Sequence, residues 1–126
     1  ARGTYASLRE ELKAEGFERP EDRDGEEKEP RRGDLAVLSG TDMAAACGQL
    51  LDVVRQGALR HVPSEQLTSA VSVGRTRKVG DTIAWARTDR GADITGLVTV
   101  TEARWTFYAR VDAVKLPDYD PVADIC

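Results

Sequence analysis

An α/β architecture, with helices layered against short strands, is the fold class that the sequence predicts, and two observations carry it. Apolar residues recur at helical spacing in segments opened by Ser, Thr or Asp or closed by Gly. Between them lie apolar runs of strand length, LAVL at 35–38 and TIAWA at 82–86. With 126 residues and 40% hydrophobic content, the chain suits one domain with its own core.

The first helix is expected over TYASLREELKAEG, residues 4 to 16, where Tyr5, Leu8 and Leu12 share a face, Thr4 is available as the cap and Gly16 is the stop. Residues 18–34, ERPEDRDGEEKEPRRGD, contain only charged residues, Pro and Gly, eight acids against five bases. They read as a solvated or disordered insertion that cannot enter a core, with an acidic interaction segment as the alternative. Leu35 to Leu38, bounded by Gly33-Asp34 and Ser39-Gly40, suits a buried strand. Thr41 then opens the clearest helix, in which Met43, Ala46, Cys47, Leu50 and Val54 form a stripe that Gly57 ends. On that stripe Cys47 is a small core residue and not a nucleophile.

Ser64 caps a third helix in which Leu67, Ala70 and Val71 share a face as far as Gly74. RTRKVGD, residues 75–81, reads as a turn, and Thr82 to Ala86 as a strand with Ile83 and Trp85 on one side. The next segment sets two local rules against each other. Val98-Thr99-Val100-Thr101 has strand propensity, whereas Ile94, Leu97, Val98, Thr101, Trp105 and Tyr108 form a helical stripe. From Leu97 to Val111 no Gly, Pro, Asn or Asp turns the chain, so length favours a helix, with a strand left open for 97–101. Residues 118–126 read as an extended acidic tail. Two strands do not complete a sheet. Because residue 1 is not Met, it reads as a cut in a longer polypeptide whose further strands lie upstream.

Composition excludes several classes. A net charge of −4 gives no overall attraction for a polyanion, so any nucleic-acid contact must be local. Cys47 and Cys126 form neither a disulfide framework nor a CxxC pair, which suits a reducing cytosol, and no apolar run approaches a membrane span. There is no GxxxxGK[ST] and no GxGxxG. His61, the single histidine, has no neighbouring ligand or nucleophile and reads as a loop residue. Trp105, Phe107 and Tyr108 can stack bases, but at helical spacing they read as core.

Two groups remain as candidates. Asp93 stands where the late helix begins. A capping role there is sufficient by itself, because its carboxylate accepts an orphan N–H and is favoured by the helix dipole. A metal role needs carboxylates from other elements, since magnesium and manganese take oxygen ligands; Asp89, in the same loop, is the nearest and the weaker candidate. The second group is basic. Residues 55–90 carry seven Lys or Arg against three acids, and Arg75, Arg77 and Lys78, with Arg87 and Arg90, are the candidate phosphate contacts. For any one of them, solvation of a turn is the alternative.

Taken in order, GTYASLREELKAEG, VLSGTDMAAACGQLLDVVRQGALRHV, LTSAVSVGRTRKVGDTIAWAR, DITGLVTVTEARW and DYDPVADI resemble the large terminase subunit of tailed bacteriophages, in the C-terminal part of its nuclease domain. The resemblance covers most of the chain outside 18–34. It implies an RNase H-like nuclease fold, of which residues 1–117 would be only the C-terminal portion, with about four helices and two or more strands. It implies a metal-dependent endonuclease that cuts concatemeric double-stranded DNA during packaging, with three acids binding two Mg2+ or Mn2+ ions in the complete domain. Asp93, in DITGLVTV, matches the third acid, the first two being expected upstream of residue 1. The same resemblance implies the portal and the small terminase subunit as partners, no membrane, and a viral protein acting in the host bacterial cytoplasm. The chain departs from the pattern at Thr99 and Glu102, where small or apolar residues are expected, which leaves open a decayed or repurposed nuclease. Two alternatives stand beside it: a non-catalytic DNA-guiding or protein-interaction module of a packaging complex, and an unrelated small α/β protein.

Overall fold

The computed structural model describes residues 2–86 and 93–114, and side chains within 3–86 and 93–113. Its order is α1 (Arg2–Ala14), α2 (Gly40–Arg55), α3 (Glu65–Val73), β1 (Thr76–Val79), β2 (Thr82–Trp85), α4 (Thr95–Ala109) and α5 (Val111–Val114), with one 3-10 turn at Pro20–Asp22. The fold is mixed α/β, and the sheet among the described residues is a single antiparallel hairpin.

The helix stops follow the chemistry expected of them. At the end of α1, Phe17 N–H bonds Leu12 O at 2.8 Å and Gly16 N–H bonds Lys13 O at 3.0 Å. At the end of α2, Ala58 N–H bonds Val53 O and Gly57 N–H bonds Val54 O, both at 3.0 Å. This paired closure needs a left-handed residue, supplied by Gly16 (φ 88°) and Gly57 (φ 66°). The start of α2 lies slightly before the expected Thr41. Ser39 caps it, accepting from Asp42 N–H at 3.1 Å while its own N–H donates to Asp42 Oδ2 at 2.9 Å. For α3 the expected cap holds, with Ser64 Oγ accepting from Leu67 N–H at 3.3 Å.

Three expectations are corrected. Leu35–Leu38 is not a strand: the run has no turn or bend but pairs with no described residue, because a strand needs a neighbouring ladder and none is at hand. Conversely, Arg75–Asp81 is more than a turn. Its residues Thr76–Val79 pair with Thr82–Trp85 in the register Arg77↔Ala84 and Lys78↔Ile83, leaving Gly80-Asp81 as the two-residue connection. Thr76 and Val79 are β-branched, and pairing with the buried β2 outweighs the loop-like charge between them. The charged 18–34 segment is not merely solvated. Asp22 takes a fork from Arg19 (Nε–Oδ2 2.8 Å, Nη2–Oδ1 3.0 Å), a hydroxyl hydrogen bond from Tyr5 and an ion pair from Arg9 at 3.4 Å, and Pro20 beside it is buried. Asp34 is held likewise by Arg23 and by the Arg31 backbone N–H. Opposite charges at short spacing thus brace the loop internally.

The conflict over 97–101 resolves as a helix. Thr99 and Thr101 donate their hydroxyls to the carbonyls of Thr95 (2.8 Å) and Leu97 (2.7 Å), four residues back, so neither polar group opposes the helix. Burial does the rest, since Leu97, Val98 and Thr101 sit in the core with Cys47, Leu50, Ala70, Trp85 and Ile94. Trp85 Nε1–H donates to Thr101 Oγ1 at 2.9 Å, so the buried indole and hydroxyl satisfy one another in a chain ending at Leu97 O. α2 packs on β2 and on α4, and α3 on α4. That last crossing is close: a Cβ on Gly74 would stand 2.9 Å from Leu97 Cδ2, and one on Gly96 would stand 3.4 Å from Gln66 O.

Burial also trims three expected stripes. Val54 on α2 and Val71 on α3 are exposed, as is Tyr108 at the far end of the α4 stripe. Cys47 lies in the core as expected, and burial pushes its thiol pKa up, which disfavours the reactive thiolate.

Candidate functional site

α1 and α4 diverge from residues 31–38 around an open groove of about 1100 Å³. Tyr5, Leu8 and Leu12 of α1 line one wall, Leu35–Leu38 another, and Val98, Thr106 and Phe107 of α4 a third. The stripe predicted on α1 is therefore real, but it faces this groove and leaves Leu8 and Phe17 exposed.

Asp93 lies in the groove wall where α4 begins. The helix proper starts at Thr95 with Ile94 as its flanking residue, so Asp93 stands one position earlier than a standard cap. It still does a cap's work, with Oδ1 accepting from Thr95 N–H at 2.9 Å. Thr95, through its hydroxyl and its backbone N–H, holds the Asp93 carboxyl below the usual carboxylate range, so it is an anion at neutral pH. The side chain is exposed, a geometry compatible with capping and with a further ligand at once.

Glu102, where the resemblance leads one to expect a small or apolar residue, lines the same groove on the same helix. Among the described residues no three His, Cys, Asp or Glu come together as a metal-binding group. Mg2+ and Mn2+ take several oxygen ligands, and the described residues do not complete such a set around Asp93. Asp89, Arg87 and Arg90 lie outside the described residues.

Arg75 immediately precedes β1, and Arg77 and Lys78 lie within it; all are exposed and none bonds a described acid. Arg77 and Lys78 are consecutive strand residues, so they project from opposite faces of the hairpin and cannot form one flat patch. The groove wall includes none of the three. Among the described residues, the groove thus does not bring Asp93 together with Arg75, Arg77 or Lys78. His61 is exposed, with its Nδ1 3.0 Å from Val62 O.

Sequence reasoning missed the groove, and one signal could have revealed it. The α1 stripe and the 35–38 run had no apolar partner left once α2, α3, β2 and α4 had been matched to one another. No helix among the described residues is long and apolar enough to cross a membrane. Comparison of the chain with protein-family models, with curated proteins and with solved structures returns no match.

Proposed function

We propose that the chain is the C-terminal portion of an RNase H-like nuclease domain from a phage large terminase subunit, with Asp93 as one of its metal ligands. The observation that carries this reading is the position of Asp93. An ionised carboxylate, held by Thr95, stands in the wall of an open groove whose apolar walls have room for further elements. In the resembled family the two other acids come on strands that precede the segment like ARGTYASL, so a groove opening between α1 and α4 suits that arrangement. When bound by a complete set, Mg2+ or Mn2+ would activate water and stabilise the scissile phosphate. This chain's own part is to hold one anionic oxygen in a defined direction.

The test is cleavage of supercoiled plasmid by the full-length protein containing this chain, with Mg2+ or Mn2+, against its Asp93→Ala variant. Loss of cleavage in the variant supports the assignment; undiminished cleavage removes it. A second reading, a DNA-guiding module without catalysis, is favoured by the exposed Arg75, Arg77 and Lys78, which lie away from the groove. It predicts salt-dependent duplex binding that survives Asp93→Ala and weakens when the hairpin bases are reversed. Portal and small-subunit contacts follow from the same family reading.

A further inference from the structure

We propose that Tyr5, Arg9, Arg19 and Asp22 form a latch that clasps α1 to the 18–35 segment, and that this latch sets how widely the groove between α1 and α4 stands open. The inference does not depend on metal binding by Asp93. It starts from what holds α1. Among the described residues, none of the extensive contacts between helices and strands involves α1, and Leu8 and Phe17 stay 45% and 49% exposed, so apolar burial secures it weakly. Its polar contacts with later residues gather on Arg19 and Asp22. The Tyr5 hydroxyl donates to Asp22, Arg9 pairs with the same carboxylate at 3.4 Å, and the Arg19 guanidinium lies 4.7 Å from the centre of the Tyr5 ring. With burial this small, the network decides where α1 sits.

The 18–35 segment is a closed unit of its own. Leu35 N–H bonds Glu18 O at 2.9 Å and so joins its ends, while Arg23 and the Arg31 N–H hold Asp34 within it. Pro20, next to the latch, is buried, and Leu35 O accepts from Arg110 Nη1 at 3.2 Å where α4 ends. The segment is thus a strap, pinned at α4 and clasped at α1, the two helices that wall the groove. Opening the latch leaves these other bonds intact, so it frees α1 without unravelling the strap. Gly16 offers the hinge: it is left-handed (φ 88°), and a Cβ there would meet nothing within 4 Å. The latch is also built to open and close. Asp22 is gripped by the Arg19 fork and two further donors, more than a lone surface pair, yet Arg9 keeps 50% of its side chain in solvent.

The experiment uses the full chain with nitroxide labels at Glu10→Cys on α1 and Ala109→Cys on α4, both exposed, in a Cys126→Ser background where the buried Cys47 escapes labelling. Double electron–electron resonance reads the distance between the labels across the groove, and hydrogen exchange in α2 and α4 is followed alongside to monitor the core. The latched chain should give one narrow distance distribution. Asp22→Ala should move and broaden it beyond its wild-type width, and Tyr5→Phe should do so to a smaller extent. Glu27→Gln, which breaks an ion pair of the strap outside the latch, should leave it unchanged. Exchange in α2 and α4 should keep its wild-type rates in all three variants. A wild-type distribution in both Asp22→Ala and Tyr5→Phe would overturn the latch, as would an equal change in Glu27→Gln. Faster exchange in α2 and α4 accompanying the distance change would also overturn it, because Asp22 would then hold the whole fold and not α1 alone.

Discussion

The two faces of α4 differ in what covers them. Leu97 and Thr101 press into α2, α3 and β2, with their polar atoms paired and their apolar atoms buried, and Val98 lies between the core and the groove. Thr99, Glu102, Thr106 and Phe107 are turned to the groove, and Phe107 remains half exposed. The outer face mixes Thr and Glu with one large apolar residue, so the two faces of the helix suit different surroundings. The difference separates a finished half, α2, α3, hairpin and inner α4, from an open half made of α1, the braced loop and outer α4. Stability should reside in the first and binding in the second.

The largest effect expected is on the finished side. Trp85→Ala removes a buried indole and its bond to Thr101, and should cost about 3–5 kcal/mol, whereas Leu8→Ala on the open side should lie within about 0.5 kcal/mol of wild type. Urea unfolding of the two variants measures the contrast; equal losses would erase the distinction between halves. Next come two finer tests of the same packing. Gly74→Ala forces a Cβ to 2.9 Å from Leu97 Cδ2 and should cost about 1–3 kcal/mol. Thr101→Val, nearly isosteric, leaves the Trp85 N–H buried without an acceptor and should cost about 1–3 kcal/mol by the same measurement.

Much of the finished half is legible in the sequence because its signals are local. The α2 stripe ending at Gly57, the Ser64 cap and the long uninterrupted run after Asp93 each fix an element without reference to distant residues. What depends on pairing is legible only in part, in the open half and in the hairpin alike. LAVL has the composition of a strand, but being one depends on a neighbour, and RTRKV looks like a loop until TIAW lies beside it. Charge misled in the same way: Arg19 and Asp22 read as solvated residues one at a time and become a brace when brought together with Tyr5. For Asp93, the sequence indicates the start of a helix and an acid, but not that the acid lies in a groove wall.

A smaller effect concerns that brace. The Asp22 carboxylate accepts from the Tyr5 hydroxyl and so raises the phenol's pKa, while Arg19 holds the Asp22 carboxyl far below its usual range. Asp22→Asn should bring the Tyr5 pKa down toward its ordinary value of about 10, read by ultraviolet titration against the Tyr5→Phe variant. The sign for stability follows from the depressed carboxyls of Asp22 and Asp34. Their contribution is complete above the ordinary carboxylate pKa of about 3.9 and is lost as pH falls through their folded values, so the loop should release from α1 only in strong acid. Amide exchange in α1 and 18–34 at decreasing pH checks this, and release near neutrality would contradict it. The smallest expected change is on the hairpin, where Arg77→Glu should weaken duplex DNA binding and lower its salt slope by roughly one or two.

The most direct test of Asp93 separates its two roles by chemistry. Asn at this position retains an oxygen for the Thr95 N–H but carries no charge for a metal, whereas Ala retains neither. Plasmid cleavage and melting temperature would be measured together for Asp93→Asn and Asp93→Ala in the full-length protein. A metal ligand predicts loss of Mg2+- or Mn2+-dependent cleavage in both variants, with the melting temperature lowered only in Asp93→Ala. Wild-type cleavage by Asp93→Asn would contradict it and leave Asp93 as the cap of α4 alone.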